Sequence, residues 1–363
     1  MNSLGFDKAE KDTKIIVAMS GGVDSSVAAV KLKKEGYDVT GVTLRLYNQI
    51  NASKAKSCCA GIDIEDAQKV AKQFDFPHFV FDFQEKFYDG VISNFIESYA
   101  NGETPVPCIQ CNQTVKFSDL LTESKKLDAD ALVTGHYAIR KGGLKGSKLY
   151  KAKDKNKDQS YFLFATLQDQ LDYVRFPLGN YLKSDIRKMA EDFQLTVSDK
   201  PDSQDICFVT SDSYRDLINK IQPEINQEGN IFDINGNKIG THKGISNYTI
   251  GQRKGIGVGG QEQPLYVKEV NKDQNYIILA PIENLKKNKI FFKNINWLDN
   301  DIANQELVCS AKIRSTQKEI PGKLITNSDN GYFLFDEIIS ATSPGQACVF
   351  YKNEQVLGGA WIT

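Results

Sequence analysis

The stretch KIIVAMSGGVDSSVAAVKLKKEG, residues 14–36, decides the fold. KIIVAM reads as a buried strand and VDSSVAAVKLKKEG as a helix stopped at Gly36, so SGGVDSS, residues 20–26, is the loop that joins them. Gly21 and Gly22 let the backbone come close to a ligand. The hydroxyls of Ser20, Ser25 and Ser26, with the free N–H groups of a helix start, make an anion site. The loop has neither the G-x-x-x-x-G-K-[ST] lysine of the Walker motif nor the G-x-G-x-x-G of dinucleotide binders. Asp24 inside it would repel phosphate unless a magnesium ion bridges them.

Outward from this loop the alternation continues. YDVTGVTLRLY reads as a second strand, IDIEDAQKVAKQF as a helix, HFVFDF after Pro77 as a strand, residues 86–99 and 114–127 as helices, and ALVTGH as a strand. Strands separated by helices of this length imply a parallel sheet with crossover helices on its faces, an α/β nucleotide-binding layout. Beyond about residue 208, glycine and asparagine become frequent and short runs recur between turns: LYVKEV, YIILA, LVCSAKI, YFLF, ACVFY. The expected organisation is a Rossmann-like α/β domain over 1–206, a small mixed domain over 207–282, and a C-terminal β-barrel over 283–363.

Composition limits the function classes. With 40% hydrophobic and 25% charged residues the chain is an ordinary folded protein, and its net charge of −1 excludes a uniformly basic nucleic-acid surface while leaving room for local basic patches. No apolar run approaches the ~18 residues of a membrane span and the N-terminus is polar, so the expectation is a cytoplasmic chain without a membrane partner. Seven cysteines, an odd number over a long chain, do not make a secreted disulfide framework.

Two of them stand in PVPCIQCN as a C-x-x-C, Cys108 and Cys111. Such a pair can be half of a zinc site, a redox pair, part of an iron–sulfur site, or a nucleophile with a neighbour. Zinc wants a second close pair. Cys58 and Cys59 are adjacent in a polar segment, where we read them as loop or helix-start residues without a chemical role. Cys309 and Cys348 stand alone, and the three histidines, His78, His136 and His242, are far apart in sequence. His136 ends an apolar strand, where such sheets present ligand contacts; His242 is assigned to shaping the middle domain or meeting RNA rather than to catalysis.

SGGVDSS resembles the PP-loop of the ATP pyrophosphatase superfamily, which cleaves ATP between its α and β phosphates and adenylates a substrate oxygen. PCIQCNQTVKF, TGHYA, KDQSYFL, KPDSQDICFV and NYTIGQRKGIGVGG, in that relation to the loop, resemble the MnmA-type tRNA 2-thiouridylases over essentially the whole chain. The resemblance implies a sulfurtransferase that adenylates the C2 oxygen of the wobble uridine, position 34, and replaces it with sulfur, releasing AMP and pyrophosphate. It implies ATP and Mg2+, with nucleotide at Ala18, Met19, Ser20, Gly21, Gly22, Val23, Asp24, Ser25, Ser26, Leu44 and Gly135. It implies Cys111 as nucleophile and Cys207 as carrier of a persulfide, the two closing a disulfide after transfer. The implied partners are the tRNAs for lysine, glutamate and glutamine, and a cysteine desulfurase or sulfur-relay protein as donor.

Some members carry an aspartate where this chain has Cys108. That departure removes a carboxylate base and opens a second chemistry, in which Cys108, Cys111 and Cys207 hold a [4Fe–4S] cluster and Cys108 is a ligand rather than an auxiliary thiol. For RNA contact the resemblance implies Val106, Pro107, Cys108, Lys157, Asp158, Gln159, Arg314 and Ser315. Residues 140–157 carry eight basic side chains against one acid, Asp154, and residues 236–260 carry four and no acid; glycine-rich basic loops of this kind can follow a phosphate backbone. Two other classes compete. A PP-loop amide-forming ligase on a small molecule gives Cys111 and Cys207 no role, and a non-catalytic RNA binder on a degenerate scaffold would not need SGGVDSS intact.

Overall fold

The computed structural model describes residues 1–47, 61–202, 206–209, 213–260, 263–299, 302 and 306–363. Cys58 and Cys59 therefore lie outside the described residues. The chain divides into two compact units: Met1–Val91, Cys108–Thr210 and Asn353–Val356 form the first, and Ile92–Pro107, Ser211–Lys352 and Leu357–Thr363 the second.

The first unit is built on a parallel sheet. Its strands are β1 (Lys14–Ala18), β2 (Asp38–Arg45), β3 (His78–Asp82), β4 (Ala131–Thr134) and β7 (Val174–Arg175), in the order β3-β2-β1-β4-β7. Central β1 pairs with β2 and β4, and Ile15, Ile16 and Val17 are at most 2% exposed. Strands covered on both faces read as continuous apolar runs, which is why KIIVA has no polar alternation. Helices α1 (Val23–Lys34) and α2 (Gly61–Gln73) and the helix Lys183–Asp192 supply Val27, Val30, Ala67, Val70, Ile186 and Ala190 to one core with Val17 and Val133.

Two helices differ from their expected limits. The helix read over 114–127 starts at Pro107: Pro107–Cys111 is α-helical, Asn112–Leu120 is wound as a π-helix, and Leu121–Lys126 completes it. Pro107 opens the helix because its fixed φ suits the first turn, where its missing N–H is not needed. The C-x-x-C therefore sits on a helix start and not in a loop. Likewise Gln84–Phe87, the π-turn Tyr88–Ile92 and Ser93–Ala100 run together where 86–99 was expected. Within the basic stretch, β5 (Ala138–Lys141) and β6 (Lys148–Lys151) form an antiparallel hairpin.

The second unit holds two β structures. One is a four-stranded sheet of β8 (Gly229–Phe232), β9 (Lys238–His242), β10 (Tyr266–Asn271) and β11 (Tyr276–Ala280), ordered β10-β11-β8-β9 over Ile231, Ile245, Val267 and Ile277. The other is a closed six-stranded barrel. Its strands β12 (Lys287–Trp297), β13 (Leu307–Lys312), β14 (Ile320–Asn327), β15 (Asn330–Ile339), β16 (Ala347–Lys352) and β17 (Gln355–Ile362) run in the order β12-β15-β14-β13-β16-β17, and β12 pairs with β17 to close it. Phe292, Phe333, Phe335 and Phe350 fill the interior. Closure leaves no free strand edge.

Candidate active site

From β1 the chain steps to β2 and β3 on one side of the sheet, while β4 and β7 lie on the other. The carboxyl ends of β1 and β4 thus flank a topological switch point, where such sheets open a crevice for ligands. The loop 20–26 fills that position. Ser20 donates its N–H to Ser25 Oγ at 3.1 Å, and Met19 donates to the Val42 carbonyl at 2.8 Å. Gly21 has φ +71°, and a Cβ there would stand 2.2 Å from the Asp63 carbonyl oxygen. A Cβ at Gly135, just past β4, would stand 2.9 Å from the Ser25 backbone nitrogen. Both positions need glycine because other backbone crosses at contact distance. Leu44, near the carboxyl end of β2, is 8% exposed. Helix α1 starts at Val23 with no side-chain cap, and the fully buried Ser26 hydroxyl has no hydrogen-bond partner among the described residues. An orphaned hydroxyl among uncapped helix N–H groups fits the phosphates of a nucleotide.

The Asp24 carboxylate is neutralised by the protein. Lys183 Nζ reaches both its oxygens at 2.7 and 2.8 Å, and the Tyr137 hydroxyl donates to it at 2.7 Å. Burial, together with the adjacent Asp24 charge, keeps Tyr137 protonated. Lys183 also pairs with Asp202 at 2.9 Å, which binds Lys157 at 2.7 Å and Arg187 at 3.0 Å. Burial alone would raise the Asp202 pKa, but hydrogen bonds from Lys157 and Lys183 hold it at about 2. Lys200 ties the loop to α2, donating to the Gly21 carbonyl at 3.0 Å while pairing with Asp63 and Asp66.

The thiols differ in environment. Cys108 is exposed, Cys111 is buried and Cys207 is half-buried. Burial pushes the Cys111 thiol up, and Lys116 opposes that shift. Lys116 Nζ donates to Asn112 Oδ1 at 3.1 Å, and Asn112 Nδ2 donates to the Phe162 carbonyl at 3.1 Å, so the cation is anchored beside the cysteine helix. His136 faces the same lysine: burial first, then Lys116, pushes it down to about 3. It stays neutral, bonded to Thr134 Oγ1 at 2.7 Å and edge-on to Phe117. Cys207 is held at its backbone, where its carbonyl accepts the Tyr47 hydroxyl at 2.8 Å, and the neighbouring Phe208 ring packs on Phe87 at 5.6 Å.

Known proteins share this arrangement of motifs. The profile of the tRNA methyl transferase HUP domain matches residues 13–211, that of the tRNA methyl transferase PRC-barrel domain 215–281, and that of the aminomethyltransferase beta-barrel domain 287–362. A protein of Rhodospirillum centenum is 45% identical over 372 residues, covering 100% of this chain and 94% of its own length. One from Wolbachia sp. subsp. Drosophila simulans is 50% identical, covering 98% and 96%, and one from Rickettsia massiliae 47%, covering 98% of each. All three are named tRNA-specific 2-thiouridylase MnmA. The chain belongs to this family.

In this 2-thiouridylase family member, Tyr137, Lys183, Lys200, Asp202 and Lys116 join the site although no motif reading singled them out. Tyr137 and Lys116 lie inside quoted motifs, and Lys200 and Asp202 inside KPDSQDICFV, but their partners are 100 or more residues away in several cases, such as Lys183 to Asp24 (|i−j| = 159). Of the expected RNA-contact residues, Lys157 is ion-paired to Asp202 and Asp158 accepts from Ala152 N and Ser160 Oγ. Gln159 Oε1 accepts the Tyr137 N–H at 2.9 Å and so steadies TGHYA. Pro107 is buried and Val106 half-buried at the helix start, while in the barrel Arg314 is exposed beside Ser315 and donates to the Ala341 carbonyl at 2.7 Å. His242 is buried, its ring nitrogens bonded to Asn275 O and Gly244 N, which makes it part of the small sheet. Among the described residues no three His, Cys, Asp or Glu side chains converge as metal ligands. Cys108, Cys111 and Cys207 are thus not assembled as a cluster set in this arrangement.

Proposed function

We infer that the chain is an ATP-dependent tRNA-uridine 2-sulfurtransferase, and that the burial contrast between Cys111 and Cys207 carries its mechanism. Its relatives are named for this thiolation, and the PP-loop supplies the adenylation. ATP lies with its phosphates on residues 20–26; the C2 oxygen of uridine 34 attacks the α-phosphorus and pyrophosphate leaves. Mg2+ bound with the triphosphate would screen its charge, and Asp24, now paired with Lys183 and Tyr137, is the loop carboxylate that would hold it. Lys183, already against Asp24, is a loop-side cation available to the departing charge.

Half-buried Cys207 receives a sulfane sulfur from a desulfurase or relay protein. The terminal sulfur attacks C2, AMP leaves, and a C2–S–S–Cys207 link forms. The Cys111 thiolate then attacks Cys207 Sγ; the S–S bond breaks, its electron pair stays on the transferred sulfur as 2-thiouridine, and a Cys111–Cys207 disulfide forms. An external thiol reductant supplies two electrons to reopen it. Lys116 stands where it stabilises the attacking thiolate. Among the described residues the three thiols do not converge as ligands of a [4Fe–4S] cluster. A small-molecule ligase would leave both cysteines idle.

The reading further assigns lysine, glutamate and glutamine tRNAs as substrates, a cytoplasmic location, and domains over 1–206, 207–282 and 283–363. Among the described residues no helix is long and apolar enough to cross a membrane. Persulfide trapping tests the carrier assignment. After incubation with a cysteine desulfurase and cysteine, wild type and Cys111→Ser should retain sulfane sulfur on Cys207 and Cys207→Ser should retain none. Equal loading of Cys207→Ser would refute the assignment.

A further inference from the structure

The barrel carries an outward face that the sulfur chemistry leaves unused. On β12, Ile290 and Phe292 point inward at 1% and 2% exposure, so Lys289, Phe291 and Lys293 alternate outward. The register sets Tyr332 and Leu334 of β15 opposite Phe291 and Lys289, and Trp361 of β17 opposite Lys293. Directly opposed residues share a face. Three rings, Trp361, Phe291 and Tyr332, thus interleave with two lysines.

Phe291 is 55% exposed and its ring lies 5.9 Å from that of Tyr332. Lys289 Nζ sits 3.7 Å from the Tyr332 centroid and 4.7 Å from that of Phe291. Among the described residues neither Lys289 nor Lys293 has a carboxylate partner, whereas nearby Lys286 and Lys323 are paired to Glu283 and Glu306. Cations without carboxylate partners, beside an exposed Phe291 ring and the half-buried rings of Tyr332 and Trp361, match a polyanion with stackable bases. A protein partner fits less well, because lysine is depleted from protein–protein interface cores.

We propose that the outer face of β17, β12 and β15, centred on Lys289, Phe291, Lys293, Tyr332 and Trp361, is an RNA-binding surface that takes phosphates on the lysines and an unpaired base on the rings. Lys289 Nζ now lies over the Phe291 and Tyr332 rings; a phosphate backbone would draw that ammonium group outward and uncover them. The proposal rests on the tRNA-acting reading above and adds a barrel contact beyond the expected Arg314 and Ser315.

The test is equilibrium binding of unthiolated tRNA to the full-length protein across a salt series, with ATP binding as a control. Phe291→Ala should weaken tRNA binding about tenfold and Phe291→Tyr should restore it. Lys289→Glu with Lys293→Glu should lower the log–log salt slope by about 2. ATP binding should not change in any of these variants. Wild-type affinity and slope in all of them would overturn the proposal. Weakening by the lysine changes alone would also overturn it, leaving only long-range attraction. Failure of the wild type to bind tRNA would instead sink the functional reading, and this surface with it.

Discussion

In the proposed mechanism Cys111 and Cys207 would divide the sulfur chemistry by exposure, half-buried Cys207 meeting the donor and buried Cys111 resolving the link. Burial raises the Cys111 pKa above the ordinary thiol value and Lys116 pulls it back, so its thiolate fraction should still be climbing above about pH 8.5. Alkylation of Cys111, followed by mass spectrometry against pH, should show no plateau near neutrality. Lys116→Met should move the curve further alkaline and Lys116→Arg should largely preserve it; an unchanged curve in Lys116→Met would remove the lysine from the account. His136, pushed down to about 3, is neutral throughout this range. The single-turnover rate profile should therefore have no limb near pH 6.5, and one that vanished in His136→Asn would show the ring to titrate.

The elements around the loop act as one charge-matched frame. Gly135→Ala would force a Cβ to within 2.9 Å of Ser25 N, an overpacking cost of about 1–3 kcal/mol; lower thermal stability and weaker ATP binding should appear together. Asp202, held at about 2 mainly against its own desolvation by Lys157 and Lys183, stabilises the fold at pH values above the unfolded carboxylate pKa of about 3.9. That contribution should fade as pH falls from about 4 to 2, and Asp202→Asn should flatten the acid side of a stability–pH curve over that window. The loop itself was legible because strand, glycines and helix start are contiguous. The Asp24–Lys183–Asp202 chain was not, because its members meet only through the fold. The expected start at residue 114 falls inside the helix, which begins at Pro107. Two-residue β7 has too few residues to show any period.

For the whole molecule, the order of motifs carried both the parallel sheet and the change to β structure, since each needs only local periodicity and turn residues. The short β runs pointed to the C-terminal barrel, but its closure through β12 and β17 is a long-range pairing that no single run displays, and the lysine–aromatic face emerged only from cross-strand register. The central claim is that this chain thiolates tRNA through cysteine sulfur without needing iron. The direct measurement incubates anaerobically purified protein, half of it stripped of iron, with ATP, magnesium, unthiolated tRNA, a cysteine desulfurase and cysteine, then digests the tRNA for mass spectrometry. We predict 2-thiouridine from both halves and none from Cys111→Ser or Cys207→Ser; thiouridine confined to the iron-replete half, or retained in full by both cysteine variants, would contradict the account.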